Sequence, residues 1–220
     1  MRDLTIVFDL DGTLVDTAPD LVAAANHVLG HVGLPPVDAQ TLRPYIGHGA
    51  RVMIERATAV AKLSEAEHER LLERFLDYYS ANIAVDSRPF EGAVDALERF
   101  KAAGAKLAVC TNKREGMSRL LLDALDLSRF FSAIAGRDTL PNSKPHPGHL
   151  LGTIDLAGGD PSRAVMIGDS NVDIATAKAA NVPVIAVSFG YTDTPIAEFE
   201  PDAVIDHYRE LEPAIAALQR

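Results

Sequence analysis

Tryptophan is absent from this chain, and cysteine occurs once, at Cys110. A lone cysteine excludes an internal disulfide framework and fits a reducing compartment. No apolar run approaches the roughly 20 residues of a membrane span. The short N-terminal run Leu4–Phe8 is broken by Asp9 and Asp11, which argues against a secretory signal. Positive charge is scarce: 21 Lys and Arg stand against 31 Asp and Glu, for a formal charge of −10. That balance disfavours nucleic acid or an anionic membrane as partner. Several catalytic signatures are also missing. There is no Gly-x4-Gly-Lys-Ser/Thr nucleotide loop. Gly116 stands where an arginine would complete a Cys-x5-Arg loop after Cys110, which reads instead as a small buried hydrophobe. Gly168-Asp169-Ser170-Asn171-Val172 ends in valine where a nucleophile elbow requires glycine. His27 and His31 share a helix face but have no evident third ligand for zinc. The expectation is a soluble cytoplasmic protein whose 220 residues, 47% of them apolar, form one domain with an insertion or two small domains.

Among what is present, Val7-Phe8-Asp9-Leu10-Asp11-Gly12-Thr13-Leu14 is the most informative stretch. Leu4–Phe8 reads as a buried strand, and two aspartates follow where a loop should begin. Residues two apart in a strand share a side, so both carboxylates can enter one site, and like charges held together call for a cation or proton. A plain Asp-x-Asp-Gly turn is the competing explanation. It weakens because similar features recur at strand ends: Lys106–Cys110 followed by Thr111-Asn112, the loop Ser143-Lys144-Pro145, and Ala164–Gly168 followed by Asp169 and Asp173. In a parallel α/β sheet the strand C-termini converge on the crevice where ligands bind. Carboxylates, a hydroxyl and a lysine there suit a metal and a phosphate.

The spacing predicts helices over 18–33, after Gly49, and from about Ser64 to Asn82, where Ser64 and Glu67 form a capping-box signature. No strand is expected between 15 and 85. From Phe90 the pattern alternates, with helices at 91–103, 115–125, 147–156 and 171–181. Strands are expected at 106–110, 133–136, 164–168, 184–188 and 203–206, with a terminal helix. This predicts an α/β fold, a doubly wound parallel sheet interrupted after its first strand by an all-helical insertion. The core segments would be 1–14 and 86–220, the insertion 15–85, and the hinges near 14–18 and 82–89, where Arg88-Pro89-Phe90-Glu91-Gly92 punctuates re-entry.

Asp9-Leu10-Asp11-Gly12-Thr13, Thr111-Asn112, Lys144-Pro145 and Gly168-Asp169 through Asp173 resemble, in order and spacing, the four motifs of the haloacid dehalogenase-like hydrolase superfamily. Asp11, which the dehalogenase branch lacks, points to the phosphatase side. Ile46-Gly47-His48-Gly49-Ala50, Lys144-Pro145-His146-Pro147 and Phe189-Gly190-Tyr191 are similar to bacterial phosphoglycolate phosphatases. The resemblance implies a Rossmann-like core, a small helical cap over the active site, and a Mg²⁺-dependent phosphatase. Asp9 would be the nucleophile and Asp11 the general acid/base. Asp9, Asp169 and the Asp11 carbonyl would bind Mg²⁺, with Asp173 as ligand or support. Thr111 and Lys144 would hold the phosphoryl oxygens, with Asn112 and Thr13 as further substrate contacts. Gly47, His48 and Arg51, at a loop leading into a helix N-terminus, would meet a second anion such as the carboxylate of 2-phosphoglycolate. Another small phosphorylated metabolite, a sugar phosphate or pyrophosphate, remains open as substrate, as does a monomer or homodimer. A non-enzymatic phospho-Asp receiver domain also uses acidic groups, Thr and Lys, but leaves the helical insertion and Asp11 unexplained.

Overall fold

A computed structural model describes residues 2–218; the expected core segments run past these limits at both ends. Six short strands form a parallel sheet, joined by helical crossovers except for the last two, which are connected by a loop with one 3₁₀ turn over Ile196–Phe199. In chain order these are β1 (Thr5–Phe8), β2 (Val15–Asp16), α1 (Ala18–His31), α2 (Ala39–Leu42), a 3₁₀ turn over Arg43–His48, α3 (Ala50–Ala57) and α4 (Glu65–Ala81). Next come β3 (Arg88–Pro89), α5 (Ala93–Ala102), β4 (Lys106–Cys110), α6 (Glu115–Ala124), β5 (Ala133–Ala135) and α7 (Pro147–Leu156). The chain closes with β6 (Ala164–Gly168), α8 (Asn171–Ala179), β7 (Val184–Val187), β8 (Ala203–Ile205) and α9 (Leu211–Leu218).

The main sheet has six strands in the order β5-β4-β1-β6-β7-β8, every pairing parallel. The central strand β1 is buried along its whole length, so its side chains serve two apolar clusters. Ile6 and Phe8 join one cluster and Val7 the other, as the two-residue period of a strand requires. Phe8 lies opposite Val109 on one side and Ile167 on the other. The residues that follow β1, β4 and β6 therefore emerge together at one edge.

α1, α3 and α4 pack on one another above that edge, the α1–α4 pair making the broadest contact. In α4 the predicted cap forms: Ser64 N–H and Oγ donate to the Glu67 carboxylate at 2.7 and 2.6 Å. The expectation of no strand between 15 and 85 needs correction. Val15–Asp16 pairs antiparallel with Arg88–Pro89, a two-residue ribbon joining the outgoing and returning chains. It is too short for periodicity to reveal and exists only because its partner lies more than seventy positions away. The short α2 and the Arg43–His48 turn were likewise not expected, and α1 ends at His31 rather than 33.

Asp20 holds the same junction. Its buried carboxylate accepts from the Asp86 and Ser87 amides and from the Ser87 hydroxyl, the Ser87 contacts at 2.8 and 2.6 Å. Asp20→Ala leaves these donors unpaired and is expected to cost about 2–4 kcal/mol, measured by urea unfolding. Loss below about 0.5 kcal/mol, the scale of an ordinary surface change, would remove Asp20 as the tie.

Candidate active site

Parallel pairing delivers Asp9, Thr111 and Asp169 to one edge of the sheet. Lys144 arrives from the loop before α7, and Asp173 from the first turn of α8. Asp9, Asp169 and Asp173 each present an oxygen within 4.8 Å of the others, and all three are buried. Lys144, also buried, donates from Nζ to Asp173 Oδ1 at 2.6 Å and stands 2.9 Å from Asp9 Oδ1. The approach to Asp9 Oδ1 is off the hydrogen-bond direction, so that buried oxygen has a counter-charge but no aligned donor.

The remaining oxygens are held by neighbours from several elements. Asp169 accepts from Thr13 Oγ1 at 2.9 Å and from the Tyr191 amide at 2.9 Å. Asp173 Oδ2 accepts from Ser170 N–H and Oγ at 3.1 and 2.6 Å, capping α8. Gly12 and Gly190 lie so close to the Asp169 carboxylate that any Cβ at either would displace it. Gly12 also has φ +82°, a conformation that favours glycine.

Three carboxylates share one lysine, and the electrostatics show the imbalance. Burial, opposed in part by Lys144, pushes Asp9 up to about 7. Burial, with Asp173 and Asp9 nearby, pushes Asp169 up to about 8. Lys144 is held protonated by Asp173 and Asp9 against its own burial. A surplus of buried carboxylate oxygen with an orphaned atom fits a hard divalent cation, and an all-oxygen donor set suits Mg²⁺. His149, pushed down to about 4 by burial, supports Lys144 from behind: its Nδ1 accepts from the Lys144 amide at 3.2 Å while Nε2 faces the Gly136 carbonyl.

Asp11 was expected to act as the acid/base and to offer the metal its backbone carbonyl. Its carboxylate is not part of the three-aspartate group but turns to Lys113 Nζ at 2.8 Å and Thr17 Oγ1 at 2.7 Å. Lys113 was not singled out in the sequence, although it directly follows Thr111-Asn112. Its side chain is only 8% exposed, and Nζ lies 4.6 Å from the ring centroid of Tyr79, a residue of α4.

The other expected contacts divide. Thr111 is buried at the end of β4, its amide donating to the Ala135 carbonyl. Asn112 donates to the Lys144 carbonyl at 3.2 Å and weakly to that of Gly47 at 3.4 Å, so the cap loop rests on the core here. The Thr13 hydroxyl is committed to Asp169 rather than turned to an open substrate position. His48 is exposed and lines a small cavity of about 140 Å³ together with Asp169, Ser170 and Tyr191. Arg51 is not brought to the acidic group: its guanidinium pairs with Glu69 and, at 2.8 Å, with Glu65, and stands 3.9 Å from Glu55. α3 does begin directly after Gly49, as expected. Tyr191, known beforehand only by resemblance, ties the loop after β7 to β2 and the start of α1. Its hydroxyl accepts from the Thr17 and Ala18 amides at 2.6 and 2.9 Å and donates to Asp16 at 2.7 Å.

Comparison with known proteins agrees with this geometry. The model of the haloacid dehalogenase-like hydrolase family matches residues 6–187. A phosphoglycolate phosphatase of Mesorhizobium japonicum is 57% identical over 208 residues, covering 94% of this chain and 92% of that protein. One of Agrobacterium fabrum is 50% identical over 211 residues, covering 95% and 91%. The crystal structure of a protein described as a predicted phosphoglycolate phosphatase, from Haemophilus somnus, superposes with a TM-score of 0.91 at 34% identity, covering 96% of this chain and 97% of that one. With its Rossmann-like sheet, inserted helical cap and four motifs gathered at one sheet edge, the chain belongs to the haloacid dehalogenase-like hydrolase family.

Proposed function

We propose that this enzyme, a phosphoric monoester hydrolase, acts on 2-phosphoglycolate through an aspartyl-phosphate on Asp9. The observation that carries the chemistry is the meeting of Asp9 with Lys144 and the acidic group at the end of β1, Thr111 following the adjacent strand β4. The substrate rests on the names of the relatives at 57% and 50% identity. Residues 15–85 are taken as the cap, and 1–14 with 86–220 as the core.

An Asp9 oxygen attacks phosphorus, and the bond from phosphorus to the ester oxygen breaks. Asp11 gives its proton to the departing alkoxide. It then takes a proton from the water that attacks the aspartyl-phosphate, releasing inorganic phosphate and restoring Asp9. Thr111 and Lys144 hold the phosphoryl oxygens, Lys144 also keeping the carboxylates from repelling the dianion. Thr13, Ser170 and Tyr191 orient Asp169 and Asp173. Asp9 and Asp169, with the Asp11 carbonyl, would hold Mg²⁺, which when bound offsets phosphoryl charge; Asp173, tied to Lys144 and Ser170, supports them. Among the described residues no helix is long and apolar enough to cross a membrane.

The deciding measurement is kcat/KM over a panel of phosphorylated metabolites that includes pyrophosphate and sugar 6-phosphates. 2-Phosphoglycolate is expected to lead by about tenfold, a difference of about 1.4 kcal/mol in transition-state binding. Another metabolite in the lead keeps the phosphatase chemistry and removes this substrate.

Mg²⁺ has a signature independent of turnover. In the metal-free protein Asp9 at about 7 and Asp169 at about 8 lie above the ordinary 3.8, so the folded state keeps protons that the unfolded chain releases. Stability then falls as pH rises from about 4 to about 8. A cation replaces those protons and must compete with them at low pH. Mg²⁺ is therefore expected to raise Tm more at pH 8 than at pH 5. Equal shifts at both, or full turnover in excess chelator, contradict the metal assignment.

A further inference from the structure

We propose that Lys113 and Tyr79 form the receptor for the leaving group's carboxylate, so that the second anion is read at the seam between core and cap, in a chamber that Gly49, Ala50 and Arg51 also line. This rests on the reading of the site as a phosphatase with Asp11 at the leaving-group oxygen.

Asp11 marks where the ester oxygen departs, and Lys113 Nζ sits 2.8 and 3.1 Å from its two carboxylate oxygens. A carboxylate carried on the carbon next to the ester oxygen has its own oxygens in the same neighbourhood. It can therefore share or take over this ammonium without any change in the phosphoryl position. Tyr79 supplies the second donor. Its side chain is buried, its ring lies beneath Lys113, and its hydroxyl has no hydrogen-bond partner. Lys113 acts on that hydroxyl by charge, but no aligned hydrogen bond joins them. Burial pushes Tyr79 up to about 12, so it remains a protonated donor in need of an acceptor. An unsatisfied buried hydroxyl costs stability, and an arriving carboxylate oxygen would satisfy it.

Both groups line a cavity of about 500 Å³ that also includes Asp11, Met117, Arg114 and Arg137. Arg114 and Arg137 have no carboxylate within ion-pair distance among the described residues, in a protein of net charge −10. Of the acidic groups on the same wall, Glu69 is taken by Arg51, and Asp138 accepts from the Glu115 amide at 2.8 Å. The chamber thus carries four basic side chains, Arg51, Lys113, Arg114 and Arg137, against three acidic ones, Asp11, Glu69 and Asp138. It is also larger than a two-carbon leaving group requires, so longer carboxylated alcohols fit the same recognition.

The test is the ratio of kcat/KM for 2-phosphoglycolate to that for ethyl phosphate, which replaces the carboxylate by methyl. Losing a charge-assisted hydrogen bond corresponds to roughly tenfold to a hundredfold. Lys113→Met is expected to lower the ratio by that much, Tyr79→Phe by roughly threefold to tenfold, and Lys113→Arg is expected to retain most of it. Any disturbance of Asp11 lowers both substrates together and cancels in the ratio. An unchanged ratio in Lys113→Met and Tyr79→Phe, each with a cooperative melt, overturns the proposal. Should Lys113→Met fail to fold, Tyr79→Phe, which keeps the ion pair, decides the matter. If phospholactate exceeds 2-phosphoglycolate in the wild type, the assigned substrate falls. The receptor then stands or falls on the phospholactate to isopropyl phosphate ratio in the same variants. A wild type that prefers ethyl phosphate overturns both.

Discussion

Asp9→Asn is expected to abolish turnover of every phosphomonoester, by at least about 10⁴-fold, while leaving the fold intact. The amide keeps the shape of the carboxylate but cannot attack phosphorus, and it binds a cation poorly. Stability should not suffer, because Asp9 shares Lys144 with Asp173 and is crowded by Asp169. Removing one of three buried like charges relieves repulsion as it removes an ion pair. Beryllium fluoride with Mg²⁺ should trap a phosphoryl mimic on Asp9 of the wild type and give no adduct in the variant. Substantial turnover by a clean Asp9→Asn preparation, or an adduct on another residue, sinks the assignment.

Asp11→Asn is expected to separate acid/base work from metal binding. Its carboxylate lies outside the acidic group, held instead by Lys113 and Thr17, so Mg²⁺ affinity should stay within about threefold. Asparagine retains an oxygen for those two donors, which keeps the local packing. Turnover of 2-phosphoglycolate should fall by about 10²–10⁴-fold. The loss should be smaller for p-nitrophenyl phosphate, whose leaving group departs without a proton. Equal losses for the two esters would remove Asp11 as the acid. A matching loss of Mg²⁺ affinity would instead place its side chain among the metal's supports.

Much of the site could be read in the chain because local rules govern it. Asp9, Thr111 and Asp169 each follow an apolar run, and adjacent parallel strands with matched register must carry such residues to a common edge. Lys144 was legible by its place in the motif order, and Asp173 by its position in the first helical turn after Asp169. The β2–β3 ribbon was not legible. Two residues carry no period, and only the pairing partner makes them a strand.

The same reasoning divides the basic residues. Sequence adjacency to a glycine loop and a helix start made Arg51, with Gly47 and His48, a candidate anion contact, yet Glu65 and Glu69 of α4 claim its guanidinium. Nothing in the local pattern around Arg51 foretells which face of α4 will lie against α3. Lys113, conversely, carries no local signal that sets it apart from other lysines. It becomes a buried partner of Asp11 only because β4 runs beside β1 and Tyr79 of the cap closes over it.

The sequence by itself determined the α/β alternation and the acidic, lysine-bearing strand ends, since these follow from periodicity, capping and parallel connection. Tertiary structure alone decided which charges neutralise one another. Ion pairing depends on inverse distance and on burial, and both are set by how elements remote in sequence pack. That packing left Asp169 and Asp9 short of positive charge, drew Arg51 away, and placed Lys113 against Asp11 across 102 positions of chain.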